Sequence, residues 1–112
     1  MRWMLVVAAL SLAPGSTVDA KPSFPLTLDS QVDLYGVPVQ LDFTLYGGGV
    51  FFAGTTGTTG SWTFDRTTKT LELDDPASAL FVTAGRVPGS YCFSGSANVA
   101  GVLLPWQGCL VP

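Results

Sequence analysis

Residues 37–45 read Val-Pro-Val-Gln-Leu-Asp-Phe-Thr-Leu. Val37, Val39, Leu41, Phe43 and Leu45 are apolar, with Pro38, Gln40, Asp42 and Thr44 between them. A strict period of two sends alternate side chains to opposite faces of a pleated strand, so this stretch predicts a strand with one buried and one wet face. Pro38 has no backbone donor and favours a strand beginning or an edge.

The same grammar extends in both directions. Leu26–Leu28 and Val32–Tyr35 suggest a shorter strand before it, with Gly36 turning the chain. Gly47–Gly49 makes a turn, Val50–Ala53 a return strand, and Gly54–Gly60 (GTTGTTG) a small loop. Ser61–Asp65 and Thr70–Asp74 read as a hairpin, because Trp62 and Phe64 alternate on one side and Leu71 and Leu73 on the other. Asp74-Asp75-Pro76 turns the chain again, and the carboxylates there are suited to accept turn N–H groups. Ala79–Thr83, Ser90–Ser94, Val99–Leu104 and Trp106–Val111 complete the set, with Gly85 and Pro88-Gly89 as turns. Short strands with a turn signal every ten or so residues predict an all-β fold. It should be a small antiparallel meander of about eight strands, closed as a barrel or flattened as a sandwich. Phe52-Ala53-Gly54-Thr55 echoes Phe93-Ser94-Gly95-Ser96, and reuse of hairpin residue types accounts for that more simply than duplication.

The first twenty residues have a different character. Met1-Arg2 is a short positive start, and Trp3–Ala13 is uninterrupted apolar or small sequence. Pro14-Gly15-Ser16 breaks it, and Val18 and Ala20 are small at the positions three and one before a cut. This predicts a secretory signal peptide over residues 1–20, cleaved before Lys21, leaving 21–112 as a single all-β domain. The apolar run is shorter than the roughly 18 residues a membrane span needs. No cysteine follows it for lipidation and no paired arginine precedes it. The expected product is secreted or periplasmic, with no membrane anchor in the mature chain.

Export makes a disulfide permissible, and Cys92 and Cys109 allow one intramolecular pairing. Free buried thiols are the alternative. On a regular strand Cys92 points opposite to Tyr91 and Phe93. The expectation is that both aromatics face the core and that the disulfide staples an edge on the outer face.

At Gly60-Ser61-Trp62, followed by Asp65-x-x-Thr68-x-x-Leu71-x-Leu73, the chain resembles the hairpins of small secreted bacterial β-meander domains of unknown function. Gly-x-Trp is also similar to the motif of the calycins, where it opens the first barrel strand. Here some forty mature residues precede it, so the resemblance implies a hairpin and carries over no ligand residues.

Composition excludes several chemistries. There is no histidine, which removes Ser–His and Cys–His nucleophilic catalysis and most zinc sites. A net charge of −3 argues against nucleic acid and against an anionic membrane as partners. Lys69 in a polar turn reads as a solvated charge rather than a base for serine. Asp74 and Glu72 are the carboxylates a hydrolase reading would use, and adjacent Asp74 and Asp75 should point apart. Asp29 and Asp33 lack the spacing of a calcium loop. No cofactor is expected. Trp62, Tyr91 and Trp106, with Tyr46, Phe51 and Phe93, either fill the core or line a pocket for an apolar ligand or sugar. The reading that follows is a non-enzymatic domain that binds an unidentified protein or surface. A barrel holding a small ligand and a carboxylate hydrolase are the alternatives.

Overall fold

A computed structural model of the chain describes residues 24–111, so the expected signal peptide and its cut before Lys21 lie outside the described residues. Eight strands follow in order: β1 (Leu26–Leu34), β2 (Val37–Tyr46), β3 (Val50–Ala53), β4 (Thr58–Asp65), β5 (Thr70–Asp75), β6 (Leu80–Arg86), β7 (Cys92–Val99) and β8 (Val102–Val111). Each pairs antiparallel with the next, and β8 pairs with β1, which closes the sheet into an up-and-down barrel. Of the two architectures compatible with the strand pattern, the barrel forms because the last strand reaches the first.

Alternation puts one set of side chains inside. Leu28, Phe43, Phe51, Leu73 and Val82 are fully buried there, each contributing about 1.5–3 kcal/mol from removal of apolar surface from water. Phe43 and Phe51 meet edge to face with ring centroids 5.3 Å apart, and Phe64 and Phe93 do the same at 6.1 Å. Outside, Asp29 and Asp42 stand directly opposite each other on β1 and β2, an unfavourable like-charge pair. The Gln40 amide donates to both carboxylates and relieves it.

Four local readings are corrected. Residues 26–34 form one continuous strand, because Ser30 faces inward and its hydroxyl donates to the Leu41 carbonyl at 2.6 Å, so a polar residue sits buried in register. The glycine–threonine loop shrinks to Gly54–Gly57, since Thr58, Thr59 and Gly60 pair with β3. Gly85 lies within β6 rather than at a turn. The last hairpin turns at Ala100-Gly101, inside a stretch that reads as a strand, and Pro105 does not interrupt β8.

Proline positions follow from the hydrogen-bond directions. The Leu110 N–H donates to Tyr91 O on the β7 side, so alternation points position 105 toward β1. The β1–β8 ladder ends one residue earlier, at Val32↔Trp106, and Pro105 leaves no ladder bond unmade. On β2, Asp42 faces β3, so Pro38 faces the same way, beyond the last β3 partner at Phe43↔Ala53. The echoed Phe52 and Phe93 are not equivalent, because Phe52 is exposed and Phe93 is buried.

Two glycines allow the wall to close tightly. A Cβ on Gly95 would stand 2.1 Å from Thr83 O and 2.6 Å from Ala84 Cα, so β6 and β7 touch there through backbone. A Cβ on Gly108 would stand 2.8 Å from the Trp106 ring, which lies across it, and 2.7 Å from Ser30 Cβ. Replacing Gly95 with Ala should cost about 1–3 kcal/mol through overpacking. Gly85→Ala, whose Cβ meets nothing within 4 Å, should change stability by less than about 0.5 kcal/mol. Urea unfolding of the two variants checks this, and equal midpoints would contradict the close approach.

Candidate functional site

The barrel has two unlike ends. The chain enters at Phe24 and leaves through Val111 at the proximal end, which also carries the turns at residues 47–49, 66–69 and 87–91. The distal end carries the turns at 35–36, 54–57, 76–79 and 100–101.

Trp62 occupies an inward position on β4 but is only half-buried. Its indole Nε1 donates to Tyr46 O at 2.9 Å and Val50 O at 3.1 Å, so the ring folds over the three-glycine turn between β2 and β3. Phe24 stacks on it with centroids 5.5 Å apart. Phe24 and Trp62 thus stack at the proximal end, where exposed Tyr46 ends β2.

Tyr91 lies on the same end but not in the core, which corrects the expectation for it. It precedes the first residue of β7 and is 39% exposed, with the Arg86 guanidinium 5.8 Å from its ring centre. Arg86 Nε donates to Ser90 O at 2.7 Å, which holds the arginine against its loop. Phe93, two residues on, does face the core. Trp106 is inside the barrel, 2% exposed, and its Nε1 has no hydrogen-bond partner. Trp62, Tyr91 and Trp106 therefore occupy three separate settings: half-buried over a turn, exposed beside a loop, and buried in the interior.

Cys92 and Cys109 form the disulfide, directly opposite each other on β7 and β8. Because Leu110 carries the hydrogen bond to β7, the cysteines occupy the neighbouring non-hydrogen-bonded position, where facing Cα atoms come closest. They sit on the outer side opposite buried Phe93, as expected, but they staple no edge, since both strands belong to a closed wall. Closing a loop of this separation contributes about 3 kcal/mol in the chain-entropy model.

Asp74 points out and Asp75 points in, where it is fully buried. The Thr58 hydroxyl donates to one carboxylate oxygen of Asp75, and Ser78 N–H donates to the other at 3.3 Å across the 3-10 turn Pro76–Ser78. The turn role of Asp75 is legible in sequence; its burial is not, because Thr58 arrives from β4. Glu72 is exposed on the outer wall, two residues from Asp74 on the same side. Asp33 accepts the Gly36 N–H at 2.6 Å, and Lys69 is exposed in its turn. Among the described residues, no three His, Cys, Asp or Glu side chains lie close enough together to hold a metal ion.

Comparison with protein-family models, curated proteins and solved structures found no match to this chain. Geometry alone therefore has to carry any functional reading.

The Asp75 cluster generates a prediction. Thr58→Val removes the hydroxyl donor from a buried carboxylate and should lower stability by about 1–3 kcal/mol in chemical denaturation. An unchanged midpoint would mean that the carboxylate does not depend on Thr58.

Proposed function

We propose that the chain is an exported, non-enzymatic binding domain. It acts outside the cytoplasm, in the secreted or periplasmic space, by presenting the ends of a rigid barrel to a partner protein or surface. The observation that carries this reading is the division of apolar side chains. One set fills the interior, while a second set stands exposed at the ends. Leu34, Tyr35, Val37 and Leu103 are distal, and Phe24, Tyr46, Val50, Val87 and Tyr91 are proximal. Grouped exposed apolar residues on a small domain mark contact sites, and loops on a rigid frame are the usual carriers of recognition.

Export is supported by the signal-like residues 1–20 and by the Cys92–Cys109 bond, since such bonds persist in oxidising compartments. The non-enzymatic reading is supported by the dispersal of carboxylates. Asp75 is committed to Thr58 and Ser78, while Asp29 and Asp42 are committed to Gln40. A second reading, a small ligand inside the barrel, is favoured by one atom. Trp106 Nε1 is a buried donor with no acceptor, and a carbonyl or hydroxyl in the interior would satisfy it.

One experiment tests both. The protein is expressed with its native N-terminus in an exporting host, and each fraction is examined by native mass spectrometry and co-sedimentation. The binding reading expects a chain beginning at Lys21 that is retained with an envelope or extracellular partner. A cytoplasmic protein, or an exported monomer retained by nothing, would overturn it. An added mass that disappears on unfolding would favour the interior ligand instead.

A further inference from the structure

We infer that the proximal end docks on an anionic bilayer surface; this rests on the binding-domain reading and names its partner.

The charges of the barrel are segregated. Every cation among the described residues lies at this end: Arg66 and Lys69 in the β4–β5 turn, and Arg86 as the last residue of β6, at the start of the β6–β7 turn. Those turns are neighbours, because Arg86 N–H donates to Lys69 O at 2.9 Å. Among the described residues none of the three is ion-paired, and Arg86 instead bonds the Ser90 carbonyl. One acid shares this end. Asp65 turns its carboxylate onto the Thr67 and Thr68 N–H groups at 2.8 and 3.3 Å. Glu72 stands two residues up the wall, and Asp29 and Asp42 are engaged by Gln40. Asp33, Asp74 and Asp75 are distal, about 13 Å or more of strand from the proximal turns. That exceeds the roughly 8 Å over which salt screens charge. Within a chain of net charge −3, the rim of this end therefore gathers three cations against the single carboxylate of Asp65.

The same end carries exposed aromatic rings. Phe24, Tyr46 and Tyr91 are exposed to between 39% and 47%, and Val50, Val87 and Val111 are exposed at the same end. Aromatic rings with short aliphatic side chains and unpaired Lys and Arg are the side chains that settle at a headgroup boundary. The rings occupy the interfacial layer and the cations meet lipid phosphates. The distal rim also exposes apolar residues, Tyr35 and Leu103 among them, but it offers Asp33 and Asp74 in place of cations, so an anionic surface selects the proximal end.

Co-sedimentation of the exported protein with vesicles provides the test. One arm uses about one-third phosphatidylglycerol in phosphatidylcholine, the other phosphatidylcholine alone. Binding should be confined to the anionic vesicles and weaken as salt rises. Each cation near the surface is worth about fivefold in affinity, so Arg66→Gln with Lys69→Asn should weaken binding by about twenty-fivefold. Both side chains lie exposed in a turn, and an unchanged melting curve will show that the fold survives. Leu103→Ser, at the distal end, should bind as the parent does. No binding to anionic vesicles, equal binding to both compositions, or loss on Leu103→Ser but not on the cation variant would overturn the inference. If vesicles fail while a protein partner retains the domain in fractionation, the bilayer is excluded and the binding-domain reading stands.

Discussion

The pairing of β8 with β1 is the constraint on which the rest of the structure depends. It joins the first strand to the last, Thr27↔Val111 through Val32↔Trp106, across nearly the whole described chain. A contact so distant in sequence must repay the entropy of closing a long loop before it stabilises anything. Several features converge on that seam. The Cys92–Cys109 bond fixes β8 against β7 at the level where Cys109 also faces Asp29 of β1. Trp106 lies across Gly108, next to Ser30, and fills the interior behind the seam. The ladder stops where Pro105 would have to donate to the Asp33 carbonyl, so the missing N–H breaks no ladder bond.

Closure removes the sheet edge, and with it the commonest hazard of a small β domain. It also sorts the side chains. A closed wall has one interior, filled in this barrel by aliphatic and aromatic groups, and two open ends where the turns cluster. Any apolar residue in a turn is then exposed and available for contact. Polar side chains work locally to make this arrangement tolerable. Gln40 bridges two opposed carboxylates, Asp75 is held by Thr58 and Ser78, and Asp65 caps its own turn. The proximal end keeps three cations that form no ion pair among the described residues.

Much of this was legible in the sequence wherever the signal is a period of two between turn residues. Val37–Leu45 and the hairpin from Ser61 to Asp74 appear in the structure nearly as the alternation places them. Legibility failed where distant residues decide. Thr58 reads as loop until β3 is seen to pair with it, and Gly85 reads as a turn until its β5 and β7 neighbours are known. Pro105 reads as a break only if a backbone donor is needed at that position, and whether one is needed depends on where the pairing with β1 ends. The site was less legible than the fold. Trp62, Tyr91 and Trp106 are conspicuous by type, but type does not separate a rim from a core. Net charge likewise does not reveal that the cations share one end, because that follows from which turns the meander places together.

Residue-resolved amide hydrogen exchange tests the closed barrel most directly. Alternation sends the N–H groups of Asp29, Gln31, Gln107 and Cys109 into the β1–β8 seam, and those of Leu28, Ser30, Leu41 and Phe43 into the β1–β2 seam. If the barrel is closed, the two sets exchange with similar protection. Rapid exchange of the first set with the second still protected would show that β1 and β8 are open edges, which contradicts closure.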